Sequence, residues 1–500
     1  MDILMTHVAG QPDRRWLILL LISAAQLIVV FNDAIMTVAL PSAQADLHIS
    51  DGGRQWVITA YMLTFGGLLL LGGRLADLLG RKLVFIVGLI GFVLASTLGG
   101  AAAAPWMLLG ARALQGAFGA LLAPAALSLI SLAFPDGRER AKAFGVFSSI
   151  VITGGALGLL AGGLLTEYLT WRWAMFINIP LAVIPILGAL AYLPAHTGRD
   201  RTTRLDIPGA VLATAGIVVL IYSFTLAADH GWGAGATLGS FAAAIVLLGA
   251  FTLVQARTRD PLLPFRILTD RIRLGAYLSA ALGMLSAFGL LLFLTYYLQT
   301  VKNYSAALTG LAFLPMVIAQ IIGAAQISAR LMHRVRPRIL MISGYLVAAA
   351  SVLLLLLLDT DSSYSPILLI ASIGIGLGLG VAVMPATSLA THGTGHRDAG
   401  VASAMINVSQ QLGGAIGTAL LNTVATSATA AYLISHQAGQ PGVALVYGYR
   451  IGYLWIAGFL LAAGLISVLL VNAGPSDAES ESAVVDEPVD ELVGESTVST

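Results

Sequence analysis

The chain reads as an all-α integral membrane protein with fourteen transmembrane helices and both termini in the cytoplasm. Three observations predict this. Hydrophobic residues make up 58% of 500, charged residues only 10%, and mean hydropathy is +0.89, whereas soluble chains carry roughly 25% charge. Apolar runs long enough to cross a bilayer, which takes roughly 20 residues, recur fourteen times. The cations fall on one side when those runs are threaded through a membrane.

In order, the runs lie near 16–40, 55–73, 83–101, 105–133, 141–166, 173–193 and 207–228. The rest lie near 236–256, 273–299, 307–329, 338–358, 365–391, 399–424 and 448–472. The first follows Arg14 and Arg15 and continues into Pro41 without a small-residue cleavage site, so it is a helix and not a signal peptide. With the N-terminus inside, the first four cytoplasmic segments hold Arg14 and Arg15; Arg74, Arg81 and Lys82; Arg138, Arg140 and Lys142; and Arg199, Arg201 and Arg204. The remaining three hold Arg257, Arg259, Arg266, Arg271 and Arg273; Arg330, Arg334, Arg336 and Arg338; and Arg397. Those are 21 cations, against Arg54, Arg172, Lys302 and Arg450 on the other side. A miscounted helix would have scrambled that division.

This composition excludes a soluble enzyme, a nucleic-acid binder and a disordered chain. There is no cysteine, and the only lysines, Lys82, Lys142 and Lys302, do not sit in a phosphate-binding loop. Neither a zinc-binding H-E-x-x-H nor a G-x-S-x-G nucleophile turn occurs. No cofactor and no metal are expected, so any work draws on an ion gradient or on the substrate's own gradient.

Two charges stand inside apolar spans, Asp33 and Arg112. A charge there costs at least about 2.5 kcal/mol on insertion scales, which implies a partner, an aqueous cavity or a function. Arg112 serves either as a structural pin on backbone carbonyls and Gln115 or as a functional cation. Asp33 is either a polar kink residue beside Asn32 and Thr37 or a carboxyl that takes up and releases a proton. Gln26 lies seven residues from Asp33, on the same helix face.

The connection after the second run reads Gly73-Arg-Leu-Ala-Asp77-Leu-Leu-Gly80-Arg81-Lys82. It resembles a signature loop of the major facilitator superfamily. The fourth run carries Arg112-Ala-Leu-Gln115-Gly116-Ala-Phe118-Gly119, similar to a second family signature, and the fifth carries Gly154, Gly158, Gly162 and Gly163. That glycine pattern is similar to the family's antiporter helix, with Leu159 where the family has proline. An offset of 256 residues aligns Gly73–Asp77 with Ala329–His333 and Lys82 with Arg338, an internal repeat. Trp171-Arg-Trp173 and Asn178-Ile-Pro180, together with fourteen spans, resemble the drug:proton antiporter branch.

The resemblance implies a major facilitator fold of two six-helix bundles, 14–193 and 273–472, with a linker and two extra helices in 194–272. A short N-terminus, 1–13, and an acidic tail, 473–500, with eight carboxylates and no Lys or Arg, complete the chain. It also implies export of small lipophilic compounds in exchange for protons, by a monomer in the plasma membrane, with no nucleic-acid partner. Asp33 and Arg112 would couple the proton, although the family's acid aligns with Asn32. Asp77 would meet the N-terminus of the penultimate helix near Ala399 and hold a gate closed. Tyr61, Phe65, Gln115, Phe118, Phe288, Tyr296, Asn407, Gln410 and Gln411 are candidate pathway residues beside Gln26 and Asn32. Rival readings are an exporter dedicated to one metabolite and a non-transporting membrane receptor.

Overall fold

A computed structural model describes residues 12–50, 53–134, 137–193, 206–258, 261, 268–332, 334–360, 366–390, 399–436 and 441–472. Helices cover each apolar run, and no strand occurs among the described residues. The first half holds α1 (Pro12–Leu47), α2 (Gln55–Leu79), α3 (Arg81–Gly100), α4 (Pro105–Ala133), α5 (Gly137–Tyr168) and α6 (Trp173–Phe176 continued by Asn178–Tyr192). A hairpin of α7 (Ile207–His230) and α8 (Gly235–Arg257) follows. The second half holds α9 (Arg271–Tyr296), α10 (Ala306–Ile321), α11 (Pro337–Leu354), α12 (Pro366–Leu389), α13 (Ala399–Ser435) and α14 (Pro441–Leu470). Among the described residues, ten helices are long and apolar enough to cross a membrane.

Helix starts and stops follow local chemistry. Asp206, Asp270 and Ser305 cap α7, α9 and α10 by accepting the backbone N–H three residues on. Pro105 and Pro337 open α4 and α11, where a missing N–H costs nothing. Gly80 separates α2 from α3 at φ +97°, a conformation that a side chain resists. Lys82 Nζ then donates to the carbonyls of Leu190 (2.9 Å) and Leu193 (2.7 Å), closing the end of α6 with a cation where the helix dipole favours one.

The glycines of α5 form a packing seam. A Cβ on Gly158 would lie 2.6 Å from the Phe31 carbonyl oxygen, and one on Gly162 2.7 Å from that of Ile35, so α5 and α1 touch backbone to backbone. Gly154 meets Leu27 of α1. Gly163 faces the opposite way, with a Cβ there 2.5 Å from the Ala306 carbonyl oxygen at the start of α10. Leu159 contributes its carbonyl to the same contact, opposite Gly310. The seam therefore joins α5 to α1 within one half and to α10 in the other.

Contacts between the halves run along α2 with α13 and α5 with α10. The hairpin sits over the first of these lines: α7 packs on both α2 and α13, and α8 packs on α7. Thr214 donates to the Gly67 carbonyl at 3.3 Å, and Thr423 of α13 donates to the Phe224 carbonyl at 3.1 Å.

Candidate functional site

A polar network occupies the middle of the first half, assembled from α1, α3, α4 and α6. Arg112 is fully buried, which an arginine tolerates only when its donors are met. Its Nη2 donates to Asp33 Oδ1 at 3.1 Å, Nε to the Val57 carbonyl at 2.8 Å, and Nη1 to Gln115 Oε1 at 3.0 Å. Its guanidinium also lies 4.4 Å from the centre of the Tyr61 ring. The cation is thus held from four directions, and among the described residues only Asp33 balances its charge within ion-pair distance.

Behind the pair, the network is neutral. Gln115 Nε2 donates to Ser96 Oγ at 2.7 Å and to Asn32 Oδ1 at 3.1 Å. Asn178 Nδ2 donates to Asn32 Oδ1 at 2.8 Å and to Ser96 Oγ at 3.2 Å. Asn32, Ser96, Gln115 and Asn178 are all fully buried, whereas the Asp33 side chain keeps 15% exposure. Adjacent positions on α1 point about 100° apart. One of them faces the sealed network and the other a partly open space. Val57 and Gln115 hold Arg112 by bonds that do not involve Asp33.

A second cluster lies at the end of the bundle where α1 finishes and α2 begins, here called the outer end. Arg54, at 3% exposure, donates through Nε to Asn422 Oδ1 at 2.9 Å, and Asn422 Nδ2 donates to Gln55 Oε1 at 3.0 Å. The Arg54 guanidinium stacks 4.0 Å from the Tyr296 ring centre, and the Tyr296 hydroxyl donates to Gln44. Past Tyr296, α9 ends in a π-helical turn, Tyr297–Val301, from which Gln299 donates to the Val38 carbonyl at 3.0 Å. Across the α5–α10 seam, Glu167 accepts from Ala306 N at 3.1 Å. Each of these bonds joins the two halves, so together they close the outer end.

The sequence candidates divide between these places. Asn32, Asp33, Arg112 and Gln115 come together, with Tyr61 buried beneath the guanidinium and Phe65 beside Tyr61 at 5.8 Å between ring centres. Gln26 is half-buried about 10 Å away along α1, its Oε1 without a hydrogen-bond partner among the described residues. Phe118 leaves the site and packs on Gly91 of α3. Phe288 and Gln411 lie on the line between the halves, against Gly414 and Gly66 respectively. Asn407 and Gln410 are half-buried on the same helix, and Tyr296 belongs to the outer closure. Asp77 lies in the last turns of α2, and its side chain is outside the described residues, as are 391–398 before α13. Ser96, Asn178 and Arg54 were not among the sequence candidates. A lone neutral polar residue in an apolar run was the available signal for the first two.

The chain matches the family model "Major Facilitator Superfamily" over residues 22–418. It is 47% identical over 474 residues to the puromycin resistance protein pur8 of Streptomyces alboniger, covering 94% of both chains. Identity is 38% to the cephamycin export protein CmcT of Amycolatopsis lactamdurans, covering 90% of this chain and 92% of that one. Among solved structures, a bacterial homologue of the human lysosomal transporter Spinster matches with TM-score 0.62 at 16% identity, over 92% of this chain and 98% of that one. Helices packed in two halves, with a buried ion pair in the first, accompany a family match over most of the length: the chain belongs to the major facilitator superfamily.

Proposed function

We propose that the protein is an exporter of small lipophilic antibiotics and similar amphipathic compounds, driven by protons entering through Asp33. The observation that carries this reading is the Asp33–Arg112 pair, a carboxyl partly open to the interior and facing a cation that other bonds hold in place. Protonation of Asp33 from outside removes one charge and frees its side chain. Closure of the outer end then carries the proton inward, and release restores the pair. Resistance and export in the names of the relatives from Streptomyces and Amycolatopsis support a drug or antibiotic as cargo.

We count fourteen crossings and place both termini in the cytoplasm, because the arginine-rich connections then share one side. The outer end, closed in this conformation, is then extracellular. A single acid must serve both proton and cargo, which favours neutral or singly charged molecules, since each uncompensated charge costs several kcal/mol in a low-dielectric cavity. A narrower reading, export of one compound, is favoured by the relatives whose names each carry a single antibiotic.

Proteoliposomes with an imposed pH gradient test the coupling. Asp33→Asn is expected to abolish uphill export of a monocationic dye and to leave downhill exchange. Uphill, proton-driven export by Asp33→Asn at normal expression would assign the proton elsewhere.

A further inference from the structure

A cavity of about 640 Å³ lies at the opposite end of the second half, between the first turns of α9 and α11 and the last turn of α14. Arg271 and Arg338 reach it from two helix starts, and Ile272, Val468, Leu469 and Asn472 complete most of its wall. Arg271 is exposed and Arg338 half-buried. Neither guanidinium has a hydrogen-bond or ion-pair partner among the described residues. Asp270 also borders the cavity, its Oδ1 accepting from Arg273 N at 2.9 Å as the cap of α9; two arginines against this one carboxylate leave the rim net positive.

The surface changes abruptly beyond this rim. Leu461, Leu465, Val468 and Leu469 are exposed on α14, and their spacing sets them in one apolar stripe that leads up to the arginines. A cationic pocket at a helix end above a hydrocarbon-compatible stripe suits a molecule with an anionic head and an apolar tail. We propose that this site binds an anionic phospholipid, its phosphate between Arg271 and Arg338 and an acyl chain along α14. A second anionic candidate, the acidic segment 473–500, follows Asn472 directly. It offers charge but little apolar surface for the stripe, whereas a lipid satisfies both.

Native mass spectrometry of the full-length protein tests the assignment, with phosphatidylglycerol and phosphatidylcholine of identical acyl chains. The expected preference for the anionic lipid is roughly tenfold or more, at about fivefold per arginine. It should vanish in Arg271→Gln/Arg338→Gln and return in Arg271→Lys/Arg338→Lys, which keeps the charge. Equal retention of both lipids by the native protein, or an unchanged preference in the glutamine pair, overturns the proposal. Two further results would also overturn it. Binding that develops only after truncation at residue 472 identifies the tail as occupant, and displacement by glycerol 3-phosphate alone identifies a site for free anions. Because binding is read without transport, failure here leaves the export reading intact.

Discussion

Arg54→Ala should open the outer end. The substitution deletes a charged hydrogen bond to Asn422 at 2.9 Å and a stacking contact with Tyr296 at 4.0 Å. Hydrogen bonds to charged groups contribute about 1.5–3 kcal/mol, and a cation over an aromatic ring about 0.5–2 kcal/mol. Both contacts join the halves, so their loss is felt in the closed state alone. Taking about 2 kcal/mol at the lower end, the ratio of open to closed molecules rises roughly 30-fold. An outward-open state held by about one molecule in a hundred would then be held by about one in four. The native chain lacks cysteine, so Leu169→Cys and Ile434→Cys, exposed at the outer ends of α5 and α13, give specific positions for spin labels. Electron–electron distance measurements should gain a longer population in Arg54→Ala. A distribution identical to that of the parent pair would refute the closure. Asn422→Ala should act more strongly, because it leaves the Arg54 cation buried with one acceptor fewer.

Gly158→Leu should lower the thermal stability of the purified protein by an amount matching about 1–3 kcal/mol of overpacking, since its Cβ would lie 2.6 Å from a carbonyl oxygen. Gly155→Ala, whose Cβ would meet only Val30 at 3.7 Å, is the neutral control. Asn178→Ala removes bonds to Asn32 and Ser96 and should cost about 1–2 kcal/mol. If the network positions Arg112 for proton exchange, the pH dependence of export should shift as well; a loss of stability with an unshifted profile would reduce Asn178 to packing.

The parts legible in sequence were those that membrane physics makes expensive. Asp33 and Arg112 stood out because a charge in hydrocarbon needs a reason, and the structure joins them. Gln115 was visible through its spacing from Arg112. Ser96 was not, and Asn178 stood out only as part of a family motif, since a neutral polar side chain in an apolar span costs little and carries no sign of its direction. Phe118 shows the same limit from the apolar side: a helix hydrophobic all round gives no preferred face, and the absent side chain of Gly91 decides where that ring lies. Arg54 was counted only as one of four cations on its side. Its partner lies 368 positions away on α13, at a contact set by how the two halves dock.

The central hairpin has a mechanical consequence. Its first helix is fastened by hydroxyl-to-carbonyl bonds to α2 on one side and to α13 on the other. Rocking of the halves, if export proceeds that way, would stretch or exchange one of these fastenings. The second helix has few buried residues and packs on the first. It would move with the first, displacing lipid around a helix that takes no part in the central network. The match between this helix and the thickness of the bilayer would then bear on the transport rate, even for a cargo that binds far from the hairpin.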